Sequence, residues 1–265
     1  ALKHGGCIEY SLDLIDEIWT DRPPLSEKPA FELDVKYAGK TVADKLSDIR
    51  EKMAAAEADM HVVTTIDDIC WTLNIRGDDI DFFPLILSYA LMDDKAYHLY
   101  IDERKLSDEI KAHLTANGVV LHPYNDIYED IKHIPADAKL MLDASKVNYA
   151  MFCNIPDSVK KIDVMNPEMI FKNVKNPVEL ENIRKAQIKD SIAHLRFMKW
   201  LKENVGKIEM TEISVSDKLD EFRKEMGNFI RPSFEPISSF GPHSAIVHYT
   251  SSPETDVEFH TGTLY

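Results

Sequence analysis

Apolar positions along the chain follow two periods, and the alternation between them outlines the architecture. Val42, Leu46, Ile49 and Met53 recur at helical spacing. Thr41 precedes them as a capping hydroxyl, with Asp44 three residues on, so one amphipathic helix is predicted there. Short apolar runs at 60–64, 85–92, 96–102, 119–122, 139–143 and 161–165 read as strands. A turn at Asp93-Asp94 joins two of them. Helical segments are predicted between the strands at 67–74, 107–117, 127–133 and 147–154, and Gly118 is placed to end the second of these. This alternation predicts a mixed α/β layer domain over residues 30–172.

The flanks read differently. A short helix is predicted at 11–20. Pro23, Pro24 and Pro29 then impose an extended connector, so residues 1–29 are read as the end of one domain and its linker. A second boundary falls at 172–178. There Asn176 is a cap, Pro177 takes the first helical position and Glu179 the third, which starts a long helix that Gly206 stops. Its second half is apolar on more than one side and calls for a large partner surface. A further helix follows Thr211, with Val215, Leu219, Phe222 and Met226 on one stripe. Two strand-like pieces, 234–239 and 245–250, flank Gly241-Pro242. Residues 173–265 thus read as the front of a domain cut at Tyr265. The missing initiator Met suggests an excerpt at the other end too.

Composition removes several function classes. The chain has 265 residues and only 9 glycines, and the full Gly-rich dinucleotide and Walker patterns are absent. The net charge of −15 disfavours nucleic acid and anionic membrane as partners. Apolar runs stay well short of the roughly 18 residues of a membrane span. Cys7, Cys70 and Cys153 form no Cys-x-x-Cys pair and read as small buried hydrophobes in a reducing cytoplasm. His-x-x-x-His, His-Glu-x-x-His and Gly-x-Ser-x-Gly are all missing. The pairs Asp67-Asp68, Asp78-Asp79 and Asp93-Asp94 are adjacent and read as surface turns.

Two local features remain. In Asn74-Ile75-Arg76-Gly77-Asp78, Arg76 is either a helix-capping arginine followed by a C′ glycine or an arginine presented at an interdomain cleft. In Gly241-Pro242-His243-Ser244-Ala245-Ile246-Val247-His248-Tyr249, His248 ends an apolar run. It is either a rim residue or an imidazole that orients a carbonyl and relays protons.

Taken in order, several stretches resemble the middle of a long, three-domain cytosolic Xaa-Pro aminopeptidase. They are Ile18-Trp19-Thr20-Asp21-Arg22-Pro23, Tyr37-Ala38-Gly39-Lys40, the run Thr65 to Gly77, Asn176-Pro177-Val178-Glu179, Thr211-Glu212-Ile213-Ser214, and Gly241-Pro242 through His248-Tyr249. The resemblance implies a creatinase N-terminal-like mixed-sheet α/β domain followed by the incomplete front of a pita-bread α+β catalytic domain. It implies two divalent ions, usually manganese, a peptide substrate with proline at its second position, a cytoplasmic homodimer, and no nucleic-acid or membrane partner. It gives His248 the catalytic role of substrate orientation and proton relay, and marks His243 as a departure from the family's usual Asn. The five metal ligands of the family, two Asp, one His and two Glu, are absent. The first belongs to a strand starting around Thr263-Leu264-Tyr265. No metal ligand and no other cofactor-binding residue is assigned, and the chain is predicted to bind no metal and to be inactive alone. The alternative is a non-catalytic interaction or assembly module of the same origin. Prolidase and creatinase share the catalytic fold, but they carry a single domain ahead of it.

Overall fold

The computed structural model describes residues 4–7, 12, 14–262 and 265. The regular elements in chain order are α1 (Leu14–Ile18), β1 (Phe31–Glu32), α2 (Val35–Ala38), α3 (Val42–Ala55), β2 (Met60–Val63), α4 (Ile66–Thr72), β3 (Ile75–Arg76), β4 (Ser88–Met92) and β5 (Tyr97–Ile101). They continue with α5 (Asp108–Ala116), β6 (Val119–His122), α6 (Ile127–Asp130), β7 (Lys139–Leu142), α7 (Tyr149–Asn154), β8 (Lys160–Asp163), α8 (Pro167–Asn173), α9 (Pro177–Asn204) and α10 (Glu212–Glu225). The helix expected at 11–20 is the shorter α1, and residues 11 and 13 lie outside the described residues.

Local chemistry sets the helix ends. Thr41 Oγ1 accepts the Asp44 amide at 3.1 Å and donates to its carboxylate at 2.6 Å. Ser107 Oγ accepts from Ile110 N at 3.3 Å and caps α5. Gly118 follows α5 in the left-handed region, φ 77°. At the start of α9, Asn176 Oδ1 accepts from Val178 N at 2.9 Å and Glu179 N at 3.0 Å, while Glu179 Oε2 accepts from Asn176 N at 2.9 Å.

Six strands form one mixed sheet in the order β6-β5-β4-β2-β7-β8. The β6–β5, β2–β7 and β7–β8 pairs are parallel, and β5–β4 and β4–β2 are antiparallel. Successive side chains leave opposite faces. Val63, Ala90, Leu99 and Met141 therefore cluster with Leu46 of α3, Ile69 of α4 and Leu114 of α5. Their strand neighbours Val62, Leu91, Tyr100 and Leu140 cluster with Ile127 of α6 and Met151 of α7. Helices cover both faces, and each fully buried aliphatic contributes about 1.5–3 kcal/mol. A third core joins α9 and α10 through Phe197, Met210, Val215, Phe240 and Phe259.

Several expectations change. Asn74, at φ 52°, takes the left-handed position after α4 that had been expected at Gly77. Gly77 is required by packing instead, since a Cβ there would lie 2.4 Å from Ile86 Cγ1. Arg76 does cap α4, donating from Nη1 to Cys70 O at 2.6 Å, and it also lines a cleft against α9. Asp68 and Asp79 are buried, each paired with a lysine: Asp68 with Lys172 at 2.7 Å and Asp79 with Lys105 at 2.6 Å. An adjacent-pair reading misses this because the partners lie far away in sequence. Cys70 is buried, and burial pushes its thiol up to about 11, but Cys7 and Cys153 are exposed.

The strands expected at 234–239 and 245–250 do not form. Residues 241–245 make a 3₁₀ turn, and the flanking backbone is irregular. Pro242 favours that turn, and the Phe240 amide bonds a carboxylate in place of a neighbouring strand. In α9 only Ala193 and Phe197 are buried, while Ile188, Ile192 and Leu195 stay exposed, so its second apolar side is uncovered among the described residues. α2 and α8 were not expected, although Pro167 at the start of α8 is a standard helix-opening residue.

Candidate functional site

The segment carrying His248 is organised by one carboxylate. Glu212 opens α10, and its side chain is fully buried. Thr211 Oγ1 accepts from Ser214 N at 3.2 Å, and the Glu212 amide donates to Val257 O at 3.3 Å, which seats the helix start against 256–259. Phe259 N closes the same seam by donating to Met210 O at 2.8 Å.

Three donors from the 240–249 segment converge on the Glu212 carboxylate. Phe240 N donates to Oε1 at 2.6 Å, and Tyr249 OH donates to Oε2 at 2.6 Å. His243 Nδ1 lies 3.0 Å from Oε1 and 3.2 Å from Oε2. The main-chain oxygen of Glu212 also accepts from Ser238 Oγ at 2.5 Å. A buried carboxylate is costly unless hydrogen-bonded, and here both oxygens are satisfied without a lysine or arginine. Burial and the bond to Glu212 push the Tyr249 phenol above its ordinary range. The His243 ring stacks on Tyr249 with centroids 4.4 Å apart, and Phe240 stacks on Phe259 at 4.7 Å.

His248 itself is exposed, in a turn, one residue before the anchored Tyr249. It has no hydrogen-bond or ion-pair partner among the described residues. The structure thus brings His243 and Tyr249 together on Glu212 and leaves the imidazole of His248 free to meet something else. His243, the departure from the family pattern, serves as a structural donor. Glu212 went unnoticed in the sequence because its partners lie 28 to 37 residues away. Its position in Thr211-Glu212-Ile213-Ser214 signals only a helix start.

Among the described residues, no group of three or more His, Cys, Asp or Glu is arranged to hold a metal ion. Thr263 and Leu264, where a ligand-bearing strand was expected to begin, lie outside the described residues. The described residues do not fit a pair of divalent ions. No helix is long and apolar enough to cross a membrane, among the described residues.

Comparison with known proteins divides the chain in the same place as α9. Residues 21–179 match the Creatinase/Prolidase N-terminal domain, and residues 181–265 match metallopeptidase family M24. A probable Xaa-Pro aminopeptidase P from Sordaria macrospora is 36% identical over 261 residues, covering 93% of this chain and 42% of the relative. The crystal structure of X-prolyl aminopeptidase from Caenorhabditis elegans, a cytosolic enzyme with a di-nuclear active site, superposes with a TM-score of 0.90 at 31% identity. That match covers 97% of this chain and 43% of the worm chain, so this chain spans less than half the length of both. An Xaa-Pro dipeptidase from Bacillus anthracis, at 19% identity, TM-score 0.60 and coverage of 84% of this chain and 59% of its own, shares the fold. On these grounds the chain belongs to the Creatinase/Prolidase N-terminal domain family over residues 21–179, and it continues through α9 into a stretch that matches metallopeptidase family M24.

Proposed function

We propose that the chain is part of a metallo-aminopeptidase that removes the N-terminal residue from peptides with proline in second position. The observation that carries this is continuity. A single relative named for that activity aligns across the α/β domain, α9 and the segment beyond, over 97% of the chain. In this reading residues 1–29 close a first domain, 30–172 form the middle one and 173–265 open the catalytic one. His248 orients the substrate peptide and relays protons. Its support is geometric: an exposed imidazole beside a tyrosine fixed by Glu212 keeps its backbone in place while its ring is available.

The two divalent ions of such an enzyme, manganese by resemblance, would supply the activated water when bound. The described residues do not hold them, so the 265-residue chain is expected to be inactive by itself. The cytosolic relative supports a cytoplasmic location, and homodimer formation rests on the resemblance alone.

The test is an assay on an Xaa-Pro peptide with added manganese. The expected result is no release of the N-terminal residue by this chain and clear release by the full-length protein. Turnover by the chain would overturn its inactivity. A full-length protein that leaves Xaa-Pro peptides intact would overturn the aminopeptidase reading.

A further inference from the structure

A cleft of about 280 Å³ lies between α9 and the α/β domain. That is near the small end of ligand sites, which run from about 300 to 1,000 Å³. Its apolar lining includes Leu33, Tyr37, Ala38 and Ile183. Its charged lining is Lys45, Arg76 and Lys175 against a single carboxylate, Glu179, whose Oε2 is already engaged in capping α9.

The cations are built in. Lys45 is buried, and its Nζ donates to Trp71 O and to Asn74 Oδ1, both at 2.6 Å. It lies 4.2 Å from the centroid of the Trp71 ring. Arg76 uses only Nη1, for Cys70 O at 2.6 Å and Ile75 O at 2.9 Å. Its Nε and Nη2 hydrogens have no protein acceptor, and neither Lys45 nor Arg76 is paired with a carboxylate among the described residues. The indole Nε1 of Trp71, which also lines the cleft, is buried and unpartnered among the described residues. A buried polar group is ordinarily satisfied, so this indole, together with the open edge of Arg76, marks a place prepared for an acceptor. Burial and then the neighbouring Arg76 push the Lys45 amine down to about 7, against the opposing pull of Glu179.

We propose that this cleft binds a small organic carboxylate, with its anionic head on the free edge of Arg76 and its apolar body against Tyr37, Leu33 and Ile183. Guanidinium and carboxylate match in planar, two-point geometry, and the charged bond is about twice as strong as a neutral one. Tyr37 is partly exposed at the mouth, so a ligand of this size can enter without opening the fold. The two sides of the cleft are tied together, because Asn176 Nδ2 of the α9 cap donates to Ala38 O of α2 at 2.8 Å and Asn182 Nδ2 of α9 donates to Lys36 O at 3.0 Å.

The test is calorimetric titration of the 265-residue chain with 3-phenylpropionate, its neutral amide and inorganic phosphate. The expected result is saturable binding of the acid, with the amide and phosphate each weaker by about tenfold or more, since each lacks one half of the match. Arg76→Met should abolish binding. Because Arg76 also caps α4, Lys175→Met at the rim serves as a second variant and should weaken binding by roughly threefold at unchanged circular dichroism. Absence of saturation into the millimolar range, an amide or phosphate that binds as well as the acid, or unchanged binding in both variants would overturn the proposal.

Discussion

Tyr249 is held at the foot of the Glu212 network, while His248, one residue earlier, stands exposed with no partner among the described residues. That division gives the histidine a definite test. In the full-length enzyme His248→Ala should lower kcat by roughly 10²–10⁴ if the imidazole moves a proton. Steady-state kinetics on an Xaa-Pro peptide read this directly, and unchanged values would return His248 to a rim residue. Lys45 offers a second test on a single group. Its amine falls from an ordinary 10.5 to about 7 in the folded chain, through burial first and Arg76 second. Between those values the unfolded chain binds a proton that the native chain does not, so native stability rises with pH across the window. It is fully present above 10.5 and is lost as pH falls towards 7. Arg76, Lys40 and Glu179 face the same amine, and comparison with a variant that lacks it isolates the part of the slope that belongs to Lys45. Urea midpoints at about pH 7.5 and about pH 9.5 should show the rise, and Lys45→Met should flatten it.

The ends of α3, α5 and α9 were legible because each cap lies within three residues of what it caps: Thr41 on Asp44, Ser107 on Ile110, Asn176 on Glu179. The same locality explains the failures. Residues 234–239 and 245–250 have strand-like composition, but a strand exists only if a neighbour accepts its ladder, and here the Phe240 amide goes to Glu212. Glu212 was illegible for the complementary reason, since nothing nearby in sequence announces a three-donor carboxylate. At the junction of α2 and α9 the local and the distant meet. Asn176 caps α9 and also bonds Ala38 O, and Gly39, at φ 68°, leaves room for it, because a Cβ there would lie 2.3 Å from Asn176 Oδ1. Gly39-Lys40-Thr41 matches the end of a phosphate-loop pattern, yet Asp34 stands where its first glycine belongs and Thr41 is spent on capping. Asn176→Ala should cost about 1–2 kcal/mol. Gly39→Ala should cost more, through both strain and clash. The double variant should cost less than the sum of the two, because the first removes the atom that the second strikes. Chemical denaturation of the three variants decides this.

At the scale of the molecule, the two cores around the sheet and the core between α9 and α10 share no residue. Arg231, which donates to Gly77 O at 3.3 Å and pairs with Asp78, links the regions across, as do the bonds of Asn176 to Ala38 O and of Asn182 to Lys36 O. Calorimetry should therefore resolve more than one transition. Glu212→Ala should lower only that of the C-terminal unit, by about 2–4 kcal/mol, since Phe240 N, His243 and Tyr249 lose their common acceptor. An equal shift in every transition would show that the units unfold as one. The strand order has one more implication. An open sheet with β6 and β8 at its margins offers two templates on which another chain can add a strand. The β8 margin presents Lys160 and Lys161, whose charges repel a second copy, and β6 is only four residues long. Both rims are brief, and one adds electrostatics. Such features disfavour edge-to-edge polymerisation while contributing little to the stability of the fold.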